Sequence, residues 1–192
     1  MALATKARST AAQGRLHRAT PEDMHKAFSD YREELAWLAL FLTGDNEVAE
    51  ACIVDACAVA TTHNGVFLEW LGRWARRATI QSALEIRRSR IAQLASAYER
   101  HPCPHHQHAA LPADAVSLLM EHYALLRCRL DVLSRFALIL RGIEGFSPLD
   151  CALTLGISKT AVETAYCTAL QSLEVFSCQL LTQLDGSVYA RS

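Results

Sequence analysis

The chain has 192 residues, 51% of them apolar, and a formal net charge of −1. That length allows one large domain or two small ones, with enough apolar residues for a sizeable buried core. The near-neutral charge predicts no class of partner by itself, so the uneven distribution of basic side chains matters more. Aromatic residues are few, strand-like alternation does not persist, and no apolar run reaches membrane-spanning length. We therefore expect an all-α protein that does not enter a membrane.

The cysteines and the N-terminal segment bear on the compartment. Seven cysteines are scattered without a CxxC pair, and most lie within apolar helical patterns. They are interpreted as small buried hydrophobic residues in a reducing compartment, which predicts a cytoplasmic protein. Residues 1–20 are basic and hold no acid, so we expect a disordered tail, although the composition would also suit an organellar transit peptide.

Three helices are predicted in the first half. The first begins at Thr20 with a cap, a proline and two acids, and its apolar residues recur at steps of three and four until Thr43. The second runs from about Glu47 to Ala60. The third begins near Val66 and continues to about Tyr98.

One face of the third predicted helix is basic. Acids that would pair with its arginines along the helix are nearly absent, which favours contact with nucleic-acid phosphates over a solvated charged face. An exposed indole beside them could stack on a displaced base, although burial is the expected fate of Trp74. The candidate residues are Trp70, Arg73, Trp74, Arg76, Arg77, Arg87, Arg88 and Arg90.

A histidine- and proline-rich segment, residues 99–113, breaks every periodicity and is interpreted as a flexible linker. Its zinc-type ligands are His101, Cys103, His105, His106 and His108. Their spacing matches no known zinc finger, so we predict neither a metal nor a cofactor. A cysteine–histidine nucleophilic pair would lack an orienting acid, and we predict no enzymatic activity.

Residues 145–162 have the pattern of a helix, a tight turn and a second helix. A serine cap is followed by a proline and an acid, then a small residue, a glycine and a branched residue at the spacing of a helix-turn-helix. An ordinary helical hairpin is the alternative. The diagnostic residues are Ser147, Pro148, Asp150, Ala152, Gly156 and Val162.

The second of these helices would present the face that reads DNA. Its candidate residues are Ser158, Lys159, Thr160, Glu163 and Thr164. Arginine, the usual residue for reading guanine, is missing, and residues 145–173 contain a single lysine. Contact with DNA and contact with another protein both remain open for this face.

The order of these segments resembles a minimal bacterial sigma factor of the sigma-70 family, of the short extracytoplasmic-function type. Residues 42–45 with Glu50 and Asp55 resemble the segment that docks on RNA polymerase, residues 67–90 the promoter-melting helix, and residues 133–147 the lead-in to the upstream-element reader. The resemblance implies two helical domains, similar to sigma regions two and four, joined by a linker. The implied divisions are a basic tail at 1–20, domains at 21–98 and 114–185, and the linker at 99–113.

The resemblance implies a transcription initiation factor whose partners are core RNA polymerase and promoter DNA, with an antagonist of the anti-sigma type as a further candidate. The polymerase-docking residues would be Asp45, Glu50, Val54 and Asp55. Two departures favour an alternative. The recognition helix is poor in cations, and Ala51, Val54 and Cys57 replace residue types that the family favours for docking. A sigma-like protein that has lost promoter reading would serve instead as a protein-interaction or regulatory module.

Overall fold

The computed structural model describes residues 18–62, 65–103, 111 and 115–189. These residues are almost entirely helical, which confirms the all-α prediction, and among them no helix is both long and apolar enough to cross a lipid bilayer. The helices are α1 (Pro21–Asp30), α2 (Arg32–Thr43), α3 (Asn46–Thr61), α4 (Leu71–Arg100), α5 (Ala115–Arg129), α6 (Val132–Ala137), α7 (Pro148–Leu155) and α8 (Lys159–Tyr189). A 3₁₀ turn (Leu68–Trp70) precedes α4, and a π-helical turn (Leu138–Ile143) follows α6.

The first predicted helix is two helices in the structure. It begins as predicted, because the Thr20 hydroxyl and the Asp23 carboxylate cap each other's backbone amides. At Tyr31 the backbone leaves the helical conformation, with φ −98° and ψ 15°, and α2 begins. The apolar period continues through this break, which is why the sequence pattern alone predicts one continuous helix from Pro21 to Thr43.

Three guanidinium groups converge on the C-terminal end of α2. Arg87 donates to the carbonyl of Thr43, Arg127 donates to that of Gly44 over 2.8 Å, and Arg135 donates to that of Phe41 over 2.9 Å. The last carbonyls of a helix lack partners within the helix and carry partial negative charge, so cations satisfy them well. Because Arg127 and Arg135 come from α5 and α6, this cluster joins the two halves of the chain.

Buried side chains from both halves form one continuous cluster. Helices α2 and α4 contribute one side of it, and α6 and α8 pack against them from the other. The predicted division into separate domains at 21–98 and 114–185 is therefore not confirmed. Fully buried members include Leu38, Phe41, Leu84, Ile91, Leu133, Phe136, Ala161, Val162, Ala165 and Ala169.

The cysteines differ from their prediction in part. Cys52 and Cys151 are buried as small apolar residues, but Cys128 and Cys178 are exposed. Cys103, at the start of the predicted linker, forms a disulfide with Cys167 on α8. The sequence offered no spacing signal for this pair, since 64 residues separate the two cysteines. Residues 104–110 and 112–114 of the linker, and residues 1–17 of the tail, lie outside the described residues.

Candidate nucleic-acid interface

The predicted helix-turn-helix pattern has the expected local geometry. The Ser147 side chain accepts from the backbone N–H of Asp150 over 3.1 Å, which caps α7. Gly156 ends α7 with φ +68°, a conformation that favours glycine. Ser158 then caps α8 by accepting from the N–H of Ala161 over 3.2 Å.

The predicted recognition face is only partly available and nearly neutral. Ser158, Lys159 and Thr160 are exposed at the start of α8, but Thr164 is 3% exposed. The Lys159 ammonium lies 3.5 Å from the Glu163 carboxylate. The single cation of this face is therefore offset by a carboxylate one turn away, and Thr164 is placed where it cannot reach a base.

Arg76 is committed to structural ion pairs. Its Nε donates to Glu144 Oε1 over 3.0 Å, and its Nη1 pairs with Glu34. Burial lowers the pKa of Arg76, but the carboxylates of Glu144 and Glu34 outweigh burial and raise that pKa above its ordinary value. Counting acids along the helix alone missed both partners, because they lie on α2 and beside the π-helical turn.

The arginines of the middle of α4 divide into two kinds. Arg87 is half-buried and donates to the Thr43 carbonyl, so it stabilises the fold. Arg88 and Arg90 lie on the surface, where Arg88 pairs with Glu85 and Arg90 donates to Gln93 over 3.2 Å. The hydrogen bond from Arg88 lowers the pKa of Glu85 below its ordinary value. Such exposed pairs exchange readily with solvent or with a phosphate.

A site that combines basic and aromatic side chains lies at the N-terminal end of α4. A cleft of about 400 Å³ opens there, and Trp70 at its edge is 55% exposed. The Trp70 ring meets the Phe67 ring edge-on, with centroids 5.7 Å apart. We call this the Trp70 cleft; its lining residues are Gly65, Val66, Trp70, Arg73, Trp74 and Arg77.

Arg77 joins the Trp70 cleft to a second one. Its guanidinium carbon lies 5.4 Å from the centre of the Phe146 ring, a cation–π contact with the C-terminal half. The second cleft, about 390 Å³, is lined by Arg73, Arg77, Glu144 and Phe146 among others. Sequence reasoning found both arginines but missed Phe146, because nothing in the local pattern brings residue 146 next to α4.

The predicted polymerase-docking residues lie on and before α3. Asp45 caps α3 by accepting from the N–H of Val48 over 3.0 Å, so its role in the structure is local. Asp55 accepts from the Ser82 hydroxyl over 2.8 Å. Glu50 is exposed, and Val54 is 71% exposed. The outer face of α3 thus presents an apolar side chain beside acids.

The metal and nucleophile hypotheses gain nothing from the described residues. No cluster of three or more metal-ligating side chains occurs among them, and Cys103 is taken up by its disulfide. His105, His106 and His108 lie outside the described residues. Cys57 Sγ lies 3.4 Å from His25 Nδ1, and burial raises the pKa of the Cys57 thiol, which disfavours the reactive thiolate.

Comparison of the chain with models of known protein families, with curated proteins and with solved structures finds no match.

Proposed function

We propose that this protein is a sigma-like transcription initiation factor that binds core RNA polymerase and promoter DNA. The observation that carries the proposal is the Trp70 cleft, which combines an exposed indole with Arg73 and Arg77 at the start of a long helix. Proteins that hold single strands combine these two chemistries, since aromatic rings stack on bases and cations neutralise phosphates. An unpaired base stacked on Trp70 would bring its flanking phosphates toward the two arginines.

Two further surfaces are assigned roles in this proposal. The outer face of α3, with Glu50 and Val54, is the surface proposed to dock on polymerase. The α7–α8 helix-turn-helix is proposed to sit on the upstream promoter element. Binding to the melted strand would offset the free energy of unpairing and unstacking, so the protein would act by differential binding and not by catalysis.

The test is binding of a fluorescent promoter fork, a duplex with one single-stranded end, measured by anisotropy over a range of salt concentrations. We expect Arg73→Glu/Arg77→Glu to lower affinity at least about tenfold and to reduce the salt dependence, because two phosphate contacts are lost. Charge reversal at Arg87 would confound the test, since Arg87 also holds the end of α2.

A charge-matched control is Arg100→Glu/Arg129→Glu, which reverses two exposed arginines at the far end of α4 and on α5. Both doubles must keep the helical circular dichroism of the parent chain. If the two doubles bind the fork equally well, net charge and not the Trp70 cleft governs binding, and the proposal loses its main support.

A second candidate is a sigma-like interaction module that does not read promoters. The near-neutral α8 face, with Lys159 paired to Glu163, favours it. So do Leu149 and Leu153, which lie one turn apart on α7 and are 60% and 73% exposed. Binding to polymerase without measurable affinity for the fork would identify this second function.

A further inference from the structure

The disulfide lies on the face of α8 that would meet DNA. Lys159, Glu163 and Cys167 follow one another at steps of four residues, so they share one face of the helix. Cys103 lies three residues beyond the end of α4, and its Cα atom lies 6.7 Å from that of Cys167, within the span of a disulfide. The bond therefore fastens residues 101–103 to the recognition face.

Residues 101–103 also contact α8 at Thr164, about one turn before Cys167, through a hydrogen bond from the backbone. The N–H of Cys103 donates to the Thr164 hydroxyl over 3.4 Å, and that hydroxyl donates to the Thr160 carbonyl over 2.8 Å. Thr164 is 3% exposed, which agrees with a segment lying over it. We call residues 101–103 the strap.

The other thiols indicate that this disulfide is not part of a permanently oxidised set. Cys128 and Cys178 are free and exposed, and Cys52 and Cys151 are free and buried. Permanently oxidised proteins pair their cysteines into a framework, whereas exposed free thiols are usual where thiols stay reduced. Cys103 and Cys167 are each half-buried, so a small thiol or disulfide can reach them.

We propose that Cys103 and Cys167 are a reversible redox pair whose oxidation fastens the strap across α8. The oxidant is a low-molecular-weight disulfide. The thiolate of one cysteine attacks a sulfur of the oxidant, breaks its S–S bond, forms a mixed disulfide and releases one thiolate. The thiolate of the second cysteine then attacks the Sγ atom of the first, which forms the Cys103–Cys167 bond and releases the other half of the oxidant as a thiolate. In total the protein loses two electrons and two protons, and the oxidant becomes two thiols.

The consequence for DNA rests on the proposed function. In the oxidised state the strap lies against Thr164 and Cys167, at the C-terminal edge of the face that carries Lys159 and Glu163, where it would hinder contact between α8 and the upstream element. Reduction breaks the covalent link between the strap and Cys167. Oxidation is therefore expected to weaken duplex binding, and reduction to restore it.

The test uses the full chain equilibrated with glutathione disulfide or with dithiothreitol, then alkylated, digested and analysed by mass spectrometry. We expect a Cys103–Cys167 linked peptide with glutathione disulfide and none with dithiothreitol. Cys103→Ser and Cys167→Ser should each abolish it, whereas the matched variants Cys128→Ser and Cys178→Ser should retain it. Hydrogen exchange of the strap should accelerate at least about tenfold on reduction.

Linkage of Cys103 or Cys167 to another cysteine, glutathionylation without an internal bond, or unchanged exchange on reduction would each overturn the redox pair. These readouts need no DNA, so they stand apart from the proposed function. If the reduced chain binds no duplex while the linked peptide forms as expected, the redox pair holds and the DNA-binding function fails. If duplex binding is equal in the oxidised and reduced chains, the strap does not control α8.

Discussion

Arg76 on α4 donates from Nε to Glu144 Oε1 over 3.0 Å, so this arginine of the basic helix contacts the other half of the chain. Glu34 on α2 holds the same guanidinium. Arg76, one of the arginines that the sequence analysis assigned to a DNA-binding face, thus connects three segments of the fold. Arg73 and Arg77 are the basic side chains that line the Trp70 cleft.

Replacing Arg76 with Gln should lower the free energy of unfolding by about 3 kcal/mol, because it leaves two partly buried carboxylates without their cation. Glu144→Gln should cost less, about 1 kcal/mol, since Arg76 keeps Glu34. Urea denaturation followed by circular dichroism measures both. The double variant should lose less than the sum of the singles; additive losses would mean that Arg76 and Glu144 do not interact in solution.

Arg87 and Arg88 are neighbours in sequence, but removing the charge should reduce stability at Arg87 only. Arg87→Gln should lower the free energy of unfolding by about 1–2 kcal/mol, because the Thr43 carbonyl loses its donor. Arg88→Gln should leave the melting temperature unchanged, because Arg88 is exposed and its ion-pair partner Glu85 is exposed as well. Differential scanning calorimetry of the two variants is the measurement, and equal losses would contradict the assignment of Arg87 to the α2 cap.

Replacing Gly44 and Gly156 with alanine should lower the free energy of unfolding by different amounts. Gly44 and Gly156 both have positive φ, +78° and +68°, so alanine is strained at each. A Cβ atom at Gly44 would also lie 2.8 Å from Arg135 Nη1, whereas at Gly156 the nearest atom is 3.9 Å away. We expect about 1 kcal/mol lost for Gly156→Ala and roughly twice that for Gly44→Ala, measured by urea denaturation.

Gly65 supplies the control for this series. Its φ is not in the left-handed region, and a Cβ atom there would meet nothing within 4 Å. Gly65→Ala should therefore change the free energy of unfolding by less than about 0.5 kcal/mol. A loss at Gly65 as large as that at Gly156 would show that the series reports something other than backbone strain.

Ionisation of Tyr98 should lower the free energy of unfolding at alkaline pH. Burial, together with the hydrogen bond to Asp131, raises the pKa of Tyr98 from 10.0 to about 12. The folded state therefore favours the neutral phenol. This contribution is fully present below pH 10 and is lost as the pH rises through about 12.

Because the neutral Tyr98 hydroxyl donates to Asp131, the wild-type chain should be more stable than Tyr98→Phe at pH 9, and the difference should shrink above pH 10. Urea midpoints at a series of pH values measure the difference, with Tyr123→Phe on α5 as the matched control. A difference between wild type and Tyr98→Phe that stays constant from pH 9 to pH 12 would contradict the predicted shift.

Local signals in the sequence predicted helix ends well. Thr20, Asp45, Ser147 and Gly156 mark the helix boundaries where the sequence places them, because a cap depends on residues within one turn of itself. The break at Tyr31 was not predicted, since the apolar period runs through it unchanged. Periodicity reports which face is buried, and it does not report whether the backbone is continuous.

The candidate site was harder to predict because its contacts are long-range. Arg76 looked unpaired from its own helix, yet its partners lie 42 and 68 residues away. The same reason hid the Cys103–Cys167 pair and the meeting of Arg77 with Phe146. Trp70, a candidate because an exposed indole could stack on a base, is 55% exposed in the structure, and its contact with a base stays a prediction.

The most direct test of a sigma-like protein is co-elution with purified bacterial core RNA polymerase on a sizing column in moderate salt. We predict stoichiometric co-elution of the parent chain, loss of co-elution in Val54→Glu on α3, and retention in Val175→Glu, a similarly exposed valine on α8. A folded, helical parent chain that elutes apart from polymerase, or equal behaviour of the two variants, would contradict the proposed docking and with it the initiation function.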